Sequence, residues 1–477
     1  MISLFSAPEN QGGLLEEKGK FKFPPSLVIL FALLVVVAIM TYVIPAGEFD
    51  RVTNEATGRT VVVPGSYHRV DQSPVGPFRL FTRMFDGFVH GADVIFLIMF
   101  AAAWVLSIMR GGAFDGGIKA LLRKTQGREN IIIPVFFFTF ALAGATYGEF
   151  ETVYGLIPLF VALALAVGWD PIVGMSMCYL AVCCGFASGV FNPFTVGVAH
   201  KFAELPLFSG WGYRWICFFV LCSINCWWVM RYAKKIKADP SKSLVADTDY
   251  SEMLASHSDA AYDAPFTATH KFQLILLVAT IGVIVFGTLQ FGWYLSEVSG
   301  IFLIMFLVNE LLAKRSMEQI TQDLFDDCSI MVPAIVVVGV SRGVLQIMIA
   351  GRIIDSVIFA LNAPLVGLPA WAAAEGMLVV QNLINFFIPS GSGQATAIMP
   401  IMIPLADLSG VSRQVAVLAY HFGDGFSNMV WPTMVAIGCG IAKVPLDRWW
   451  KFYLPCFGIT FVAQMILIAI AVAIGYN

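Results

Sequence analysis

Two glutamates one residue apart, Glu149 and Glu151, stand in GATYGEFET with apolar sequence on both sides. A charged side chain at bilayer depth costs about 3 kcal/mol or more unless it is paired or takes up a proton. Two readings stand for the pair: substrate or proton binding, or a tip that surfaces in an aqueous vestibule. Thr146, Gly148 and Thr152 flank them with hydroxyls and open backbone. Asp424, in FGDGFSN, admits the same binding role or that of a helix-capping carboxylate. His421, just upstream, reads as a proton relay or as a histidine satisfied by its own loop. Arg342 lies inside the apolar run VVVGVSRGVLQIM. It either pairs with a carboxylate for packing or meets the carboxylate of a substrate. Asp170 in GWDP reads as a helix cap.

Uncharged polar groups form three more clusters. FIPSGSGQATAIMPIMIPLAD carries Ser390, Gly391, Ser392, Gln394 and Thr396, which offer hydroxyls, an amide and close backbone approach. GFASGVFNPFTVG carries Ser188, Asn192 and Thr195, and FGDGFSNMVWPT carries Ser427, Asn428 and Thr433.

The elements that hold these residues are membrane spans. Of 477 residues, 58% are hydrophobic and 13% charged, and the mean hydropathy is +0.78. A soluble domain carries about a quarter charged residues, so the chain reads as an all-α polytopic membrane protein. Full-length apolar runs cover Leu27 to Ile44, Val94 to Met109, Ile216 to Met230, Phe272 to Phe291, Val298 to Leu312, Ile330 to Ile349 and Tyr453 to Gly475. The first reads as a retained span behind Lys18, Lys20 and Lys22, being long for a signal sequence and without a small-x-small cleavage site. Trp211, Trp215, Trp293, Trp449 and Trp450 fit interfacial belts. Between the full spans, the arms on either side of GATYGEFET and IPSGSGQAT are short. About 13 residues make roughly 20 Å of helix, less than the ~30 Å hydrocarbon core. Both stretches therefore read as re-entrant helical hairpins. Residues 185–197 and 422–433 read as helices unwound at mid-membrane. Such backbone survives there only when buried in protein or lining a wet cavity.

With the N-terminus inside, 19 Lys and Arg fall in cytoplasmic segments and 9 outside, which sets the orientation. Residues 237–270 are polar and acidic and read as a cytoplasmic linker. The halves look alike. GGAFDGGIKALL resembles AGRIIDSVIFAL with Asp115 opposite Asp355, and GATYGEFET aligns with the IPSGSGQAT region. GFASGVFNPFTVGVAHK aligns with DGFSNMVWPTMVAIGCGIAK, with Pro193 opposite Pro432. Equivalent segments on opposite sides make two inverted-topology repeats, 86–231 and 325–477. Residues 1–85 carry the first span and an extracytoplasmic loop, and 232–324 carry the linker and two connecting spans. Inverted repeats with broken helices are a common plan of secondary transporters.

GATYGEFET, GFASGVFNPFTVGVA, FFIPSGSGQAT–MPIM–PLAD and FGDGFSN–PT resemble motifs of the four-carbon dicarboxylate anaerobic carrier family, and most closely its YfcC-like branch of basic amino-acid antiporters, within the ion transporter superfamily. The resemblance runs from YVIPAGEFDR to the last span. It implies a scaffold and a transport domain, a homodimer and elevator-type movement. In sodium-coupled relatives, Ser-Asn-Thr clusters at tip and loop bind the ion. Ser188, Asn192 and Thr195, and Ser427, Asn428 and Thr433, match that pattern. The tips depart from it: GATYGEFET has no Ser-Asn pair, and PSGSGQAT has Ser and Gln.

The expected function is therefore secondary active transport of an amino acid, basic on the acidic balance of Glu149, Glu151 and Asp424. The mode is exchange or symport coupled to Na+ or H+. The alternative is a dicarboxylate or other carboxylate carrier. An inner-membrane location with a cytoplasmic N-terminus goes with either. Walker A, GxGxxG and HExxH patterns are absent from the sequence, so no enzyme activity and no cofactor is expected. The net charge of −3 argues against a nucleic-acid partner. The nine cysteines lack CxxC spacing and read as small core residues.

Overall fold

Helix boundaries follow from residues that cap or stop the backbone. The computed structural model describes residues 24–477 apart from 55–58, 64, 114–115, 118–119, 121–122, 124–127, 249 and 251–266. The N-terminal lysines, Asp115 and half of the acidic linker lie outside the described residues.

Helix α1 (Ser26–Val43) leads into two antiparallel ribbons, β1 (Gly47–Glu48) with β4 (His68–Arg69) and β2 (Arg51–Asn54) with β3 (Arg59–Val62). Gly47 stands opposite Arg69, and Arg51 opposite Val62. There follow α2 (Pro77–His90), α3 (Ala92–Arg110), α4 (Ile132–Thr146), a 3-10 turn (Glu151–Leu156), α5 (Ile157–Val167), α6 (Pro171–Ala187), α7 (Val196–Phe202) and α8 (Trp211–Ala238). Two connecting helices come next, α9 (Ala268–Phe291) and α10 (Leu295–Leu312). A similar succession then runs through α11 (Met317–Ile330), α12 (Val332–Ala350), α13 (Ile354–Asn362), α14 (Ala370–Phe387), α15 (Gly391–Leu408), α16 (Arg413–Ser427), α17 (Pro432–Ile441) and α18 (Leu446–Ala473). Asp170 caps α6 as expected, its Oδ1 accepting from the Val173 amide at 3.1 Å, with Pro171 at the first helical position. Ser412 caps α16 in the same way. Gly168, at φ +86°, ends α5 in the left-handed conformation that glycine tolerates best.

Among the described residues, six helices are long and apolar enough to cross a bilayer: Ala92–Arg110, Glu129–Thr146, Trp211–Ala238, Leu295–Leu312, Val332–Ala350 and Leu446–Ala473. Helices α2, α1 and α12 pack together, as do α3, α10 and α11. Helix α4 lies on α6, α14 on α16, and α8 on α18. The groups meet where α3 touches the 3-10 turn and α12 touches α17. Close contact is set by small residues. A Cβ on Gly185 would sit 1.8 Å from the Ala141 carbonyl oxygen, so α6 and α4 touch backbone to backbone. A Cβ on Gly425 would sit 2.3 Å from the Ala187 Cα, where α16 crosses α6.

The structure corrects several sequence expectations. The arms around the second tip are each 18 residues, about 27 Å at helical rise, rather than about 13. The cause is Ser390: its Oγ accepts from the Gly393 amide, so SGSGQAT becomes the first turns of α15 and only 388–390 are non-helical. The breaks are also narrower than the motifs. Helix α6 persists to Ala187 and α16 to Ser427, leaving 188–195 and 428–431 outside the flanking helices. Asp424 and Ser427 thus lie on regular helix. Trp449 is fully buried rather than interfacial; its Nε1 donates to the Met429 carbonyl at 2.9 Å, as Trp450 does to Val430 at 2.8 Å. These indoles satisfy carbonyls freed by the break. Arg214, counted among the outside charges, is 1% exposed.

Candidate functional site

Both tips and both breaks converge on one cavity of about 550 Å³, its open mouth included. Tip one contributes Gly148, Phe150 and Glu151, held by the turn from α4 into the 3-10 segment. Gly148 takes φ +80°, and any Cβ there would collide with Phe194 and Asn192. Tip two contributes Pro389, Ser390, Gly391 and Ser392, the capped start of α15. Because α15 runs 18 residues, its free N-terminal amides and dipole face this space. Asn428 enters from the second break, Met434 from the first turn of α17, Asp93 from the first turn of α3, and Arg342 from the middle of α12. Phe186, Phe194 and Tyr294 complete an aromatic wall with Phe150; Phe194 and Tyr294 lie 5.2 Å apart, centre to centre. Glu151 is acted on by the positive charge of Arg342 and the negative charge of Asp93.

Seven of the sequence-selected residues line this cavity: Gly148, Glu151, Arg342, Ser390, Gly391, Ser392 and Asn428. Thr433 borders an adjoining hollow with Glu151, Ser341 and Arg342. Glu149 and Thr152 border another, with Trp293 and Tyr294. Glu149 also faces the backbone amides of Thr152 and Val153, the position of a capping carboxylate.

The other selected residues lie outside these linings. The Thr146 hydroxyl bonds back to the Leu142 carbonyl at 2.6 Å, Ser188 to Cys184 at 2.6 Å and Thr396 to Ser392 at 2.8 Å. Asn192 Oδ1 accepts from the amides of Phe194 and Thr195, shaping the first break. Gln394 donates to Gln381 Oε1 at 2.7 Å within its own hairpin. Thr195 meets His421 Nε2 at 3.0 Å. Asp424 is fully buried, and both carboxylate oxygens lack a hydrogen-bond partner among the described residues. Its Oδ2 lies 3.2 Å from where a Gly391 side chain would begin.

Sequence reasoning missed three contributors. Asn385, on α14, places its Nδ2 2.8 Å from the Asp424 carbonyl, 2.7 Å from Ser427 Oγ and 2.7 Å from Asn428 Oδ1. It therefore ties the second hairpin to the second break. An amide isolated in the apolar run LINFF was the available signal. Asp93 sits one residue before a full apolar run, where a charge ordinarily marks the end of a span. Tyr294 lies in the short link between α9 and α10, and no local pattern marks it.

The model of the family described as C4-dicarboxylate anaerobic carrier matches residues 23–473. The chain is similar to the Escherichia coli (strain K12) protein named "Putative basic amino acid antiporter YfcC", 30% identical over 96% of this chain and 98% of that protein. An uncharacterized protein of Haemophilus influenzae is 28% identical over 96% of this chain and 99% of its own length. Among solved structures, the YdaH transporter of Alcanivorax borkumensis aligns at 17% identity and a TM-score of 0.42, covering 95% of this chain and 99% of its own. Sequence similarity over nearly the whole length, together with the apolar helices, shows that this multi-pass membrane chain belongs to the C4-dicarboxylate anaerobic carrier family.

Proposed function

We propose that this chain is a secondary active transporter for a basic amino acid, working by exchange or by symport with Na+ or H+. The carrying observation is the make-up of the cavity wall: two carboxylates, Asp93 and Glu151, and four aromatic rings face a single guanidinium, Arg342. Carboxylates and ring faces both attract a cationic side chain. The capped N-terminus of α15, with Ser390 and Ser392, suits the α-carboxylate. The similarity to a protein named as a basic amino acid antiporter supports the same reading.

In this proposal the two similar series of helices are inverted repeats, the tips are those of re-entrant hairpins meeting near the midplane, and access alternates by elevator-type movement of a transport domain within a homodimer. The inner membrane and a cytoplasmic N-terminus complete it. Radiolabelled arginine or ornithine exchange in proteoliposomes tests it. Uptake is expected, with loss in Glu151→Gln; absence of uptake of any basic amino acid sinks it. The second reading, a dicarboxylate carrier, rests on Arg342 and the α15 N-terminus as an anion pair of sites. Labelled succinate uptake that basic amino acids fail to compete would favour it.

A further inference from the structure

Arg214 is a cation in the first turn of the long helix α8, and it is 1% exposed. Its Nη1 lies 3.4 Å from Nδ1 of His421, itself fully buried on α16. A guanidinium carries only donors and stays charged in proteins. His421 Nδ1 must therefore accept, and it has no proton. The other ring nitrogen, Nε2, then carries the hydrogen and donates to Thr195 Oγ1 at 3.0 Å. A protonated ring would turn an N–H toward the guanidinium and lose that bond.

We propose that Arg214 locks His421 as the neutral Nε2–H imidazole, and that Arg214, His421 and Thr195 act together as a positioning chain for the second tip rather than as a proton relay. The chain ends at the cavity. The Thr195 methyl lies 2.5 Å from where a Gly391 side chain would begin, so a Thr195 fixed by His421 abuts the first residue of α15. Gly391 in turn lines the cavity, and its carbonyl accepts from Tyr420 at 2.6 Å. The charged and titratable groups that act on His421 from neighbouring elements are Arg214 of α8 and His200 of α7; the Phe186 carbonyl also faces the ring. On α16 itself, Tyr420 and Asp424 flank it. Among the described residues the ring has Arg214 and Thr195 as side-chain hydrogen-bond partners, and no carboxylate among them. Any proton the cavity carries is then held elsewhere.

The inference rests on the transport reading only for its activity test, so two readouts separate them. The first is nitrogen NMR of the full-length protein labelled with 15N-histidine, with the His421 signal assigned by its loss in His421→Gln. The neutral Nε2–H pattern is expected to persist from about pH 5 to about pH 8, spanning the ordinary histidine pKa of about 6.5. In Arg214→Gln, whose amide oxygen can accept as well as donate, an Nδ1–H population is expected to appear beside the Nε2–H form. An imidazolium signal in the unmodified protein overturns the proposal whether or not transport is found. The second readout is exchange activity. His421→Leu is expected to lose about tenfold or more, and His421→Gln, whose amide both accepts and donates, to recover most of it with an unchanged pH profile. A Gln variant as impaired as Leu, or one that has lost a pH dependence present in the unmodified protein, overturns it.

Discussion

The two tips are built from different backbone, and the difference sets which groups each presents to the cavity. Tip one links α4 to a 3-10 turn through Tyr147–Phe150 and brings Glu149 and Glu151. Tip two links α14 to α15 through only 388–390, and its side chains are neutral. In a 3-10 turn the amides are poorly aligned, and the chemistry at tip one comes from carboxylates. In a capped helix of 18 residues the amides are aligned, and the chemistry at tip two comes from backbone donors and hydroxyls. One end of the cavity is thus suited to a cation and the other to an anion. Under the proposed reading a zwitterion with a cationic side chain would meet both, while a dicarboxylate would rely on Arg342 and the α15 N-terminus alone.

The comparison can be broken most directly at tip one. Glu151→Gln is expected to weaken arginine or ornithine transport by about 100-fold, the scale of losing one partner from a buried charge pair. Measured exchange kinetics check this. If the cavity instead holds a dicarboxylate, the same variant leaves transport intact or improves it. Arg342→Gln is expected to raise the KM for a basic amino acid by about tenfold through loss of one charge-assisted contact, and to abolish transport outright if the substrate is a dicarboxylate. Ser390→Ala removes the cap of α15 and is expected to weaken apparent affinity by about fivefold, near 1 kcal/mol, with a similar fall in stability by thermal shift. Thr396→Ala sharpens the picture from below: its hydroxyl bonds back to Ser392, so transport is expected to change by less than about twofold.

Much of the fold was legible because apolar length and helix breakers are strong local signals. Val94 to Met109 and Val298 to Leu312 fall within α3 and α10 almost residue for residue. Seven of the selected residues line one space, while Ser188, Asn192 and Thr195 of the first break lie outside its lining. What failed was the reading of glycine and serine as loop. SGSGQAT continues as helix because one serine caps it, a choice settled by a single hydrogen bond that composition does not carry. Selecting every hydroxyl in a motif also overreached. Thr146, Ser188 and Thr396 bond their own preceding turn, and only the third dimension separates those from Ser390 and Ser392. Arg214 shows the limit of counting charges between spans. A residue near a helix end reads as aqueous, while the fold encloses it against His421.

The crossing of α16 and α6 at Gly425 and Ala187 has a mechanical meaning. With no side chain between them, the two interrupted helices behave like plates riveted at one point. Neither break can slide without dragging the other, and Asn385 fastens the second hairpin to the same joint. Labels placed on either side of that rivet should keep a constant separation through a transport cycle, so displacement should be sought instead across the seam where α3 meets the 3-10 turn.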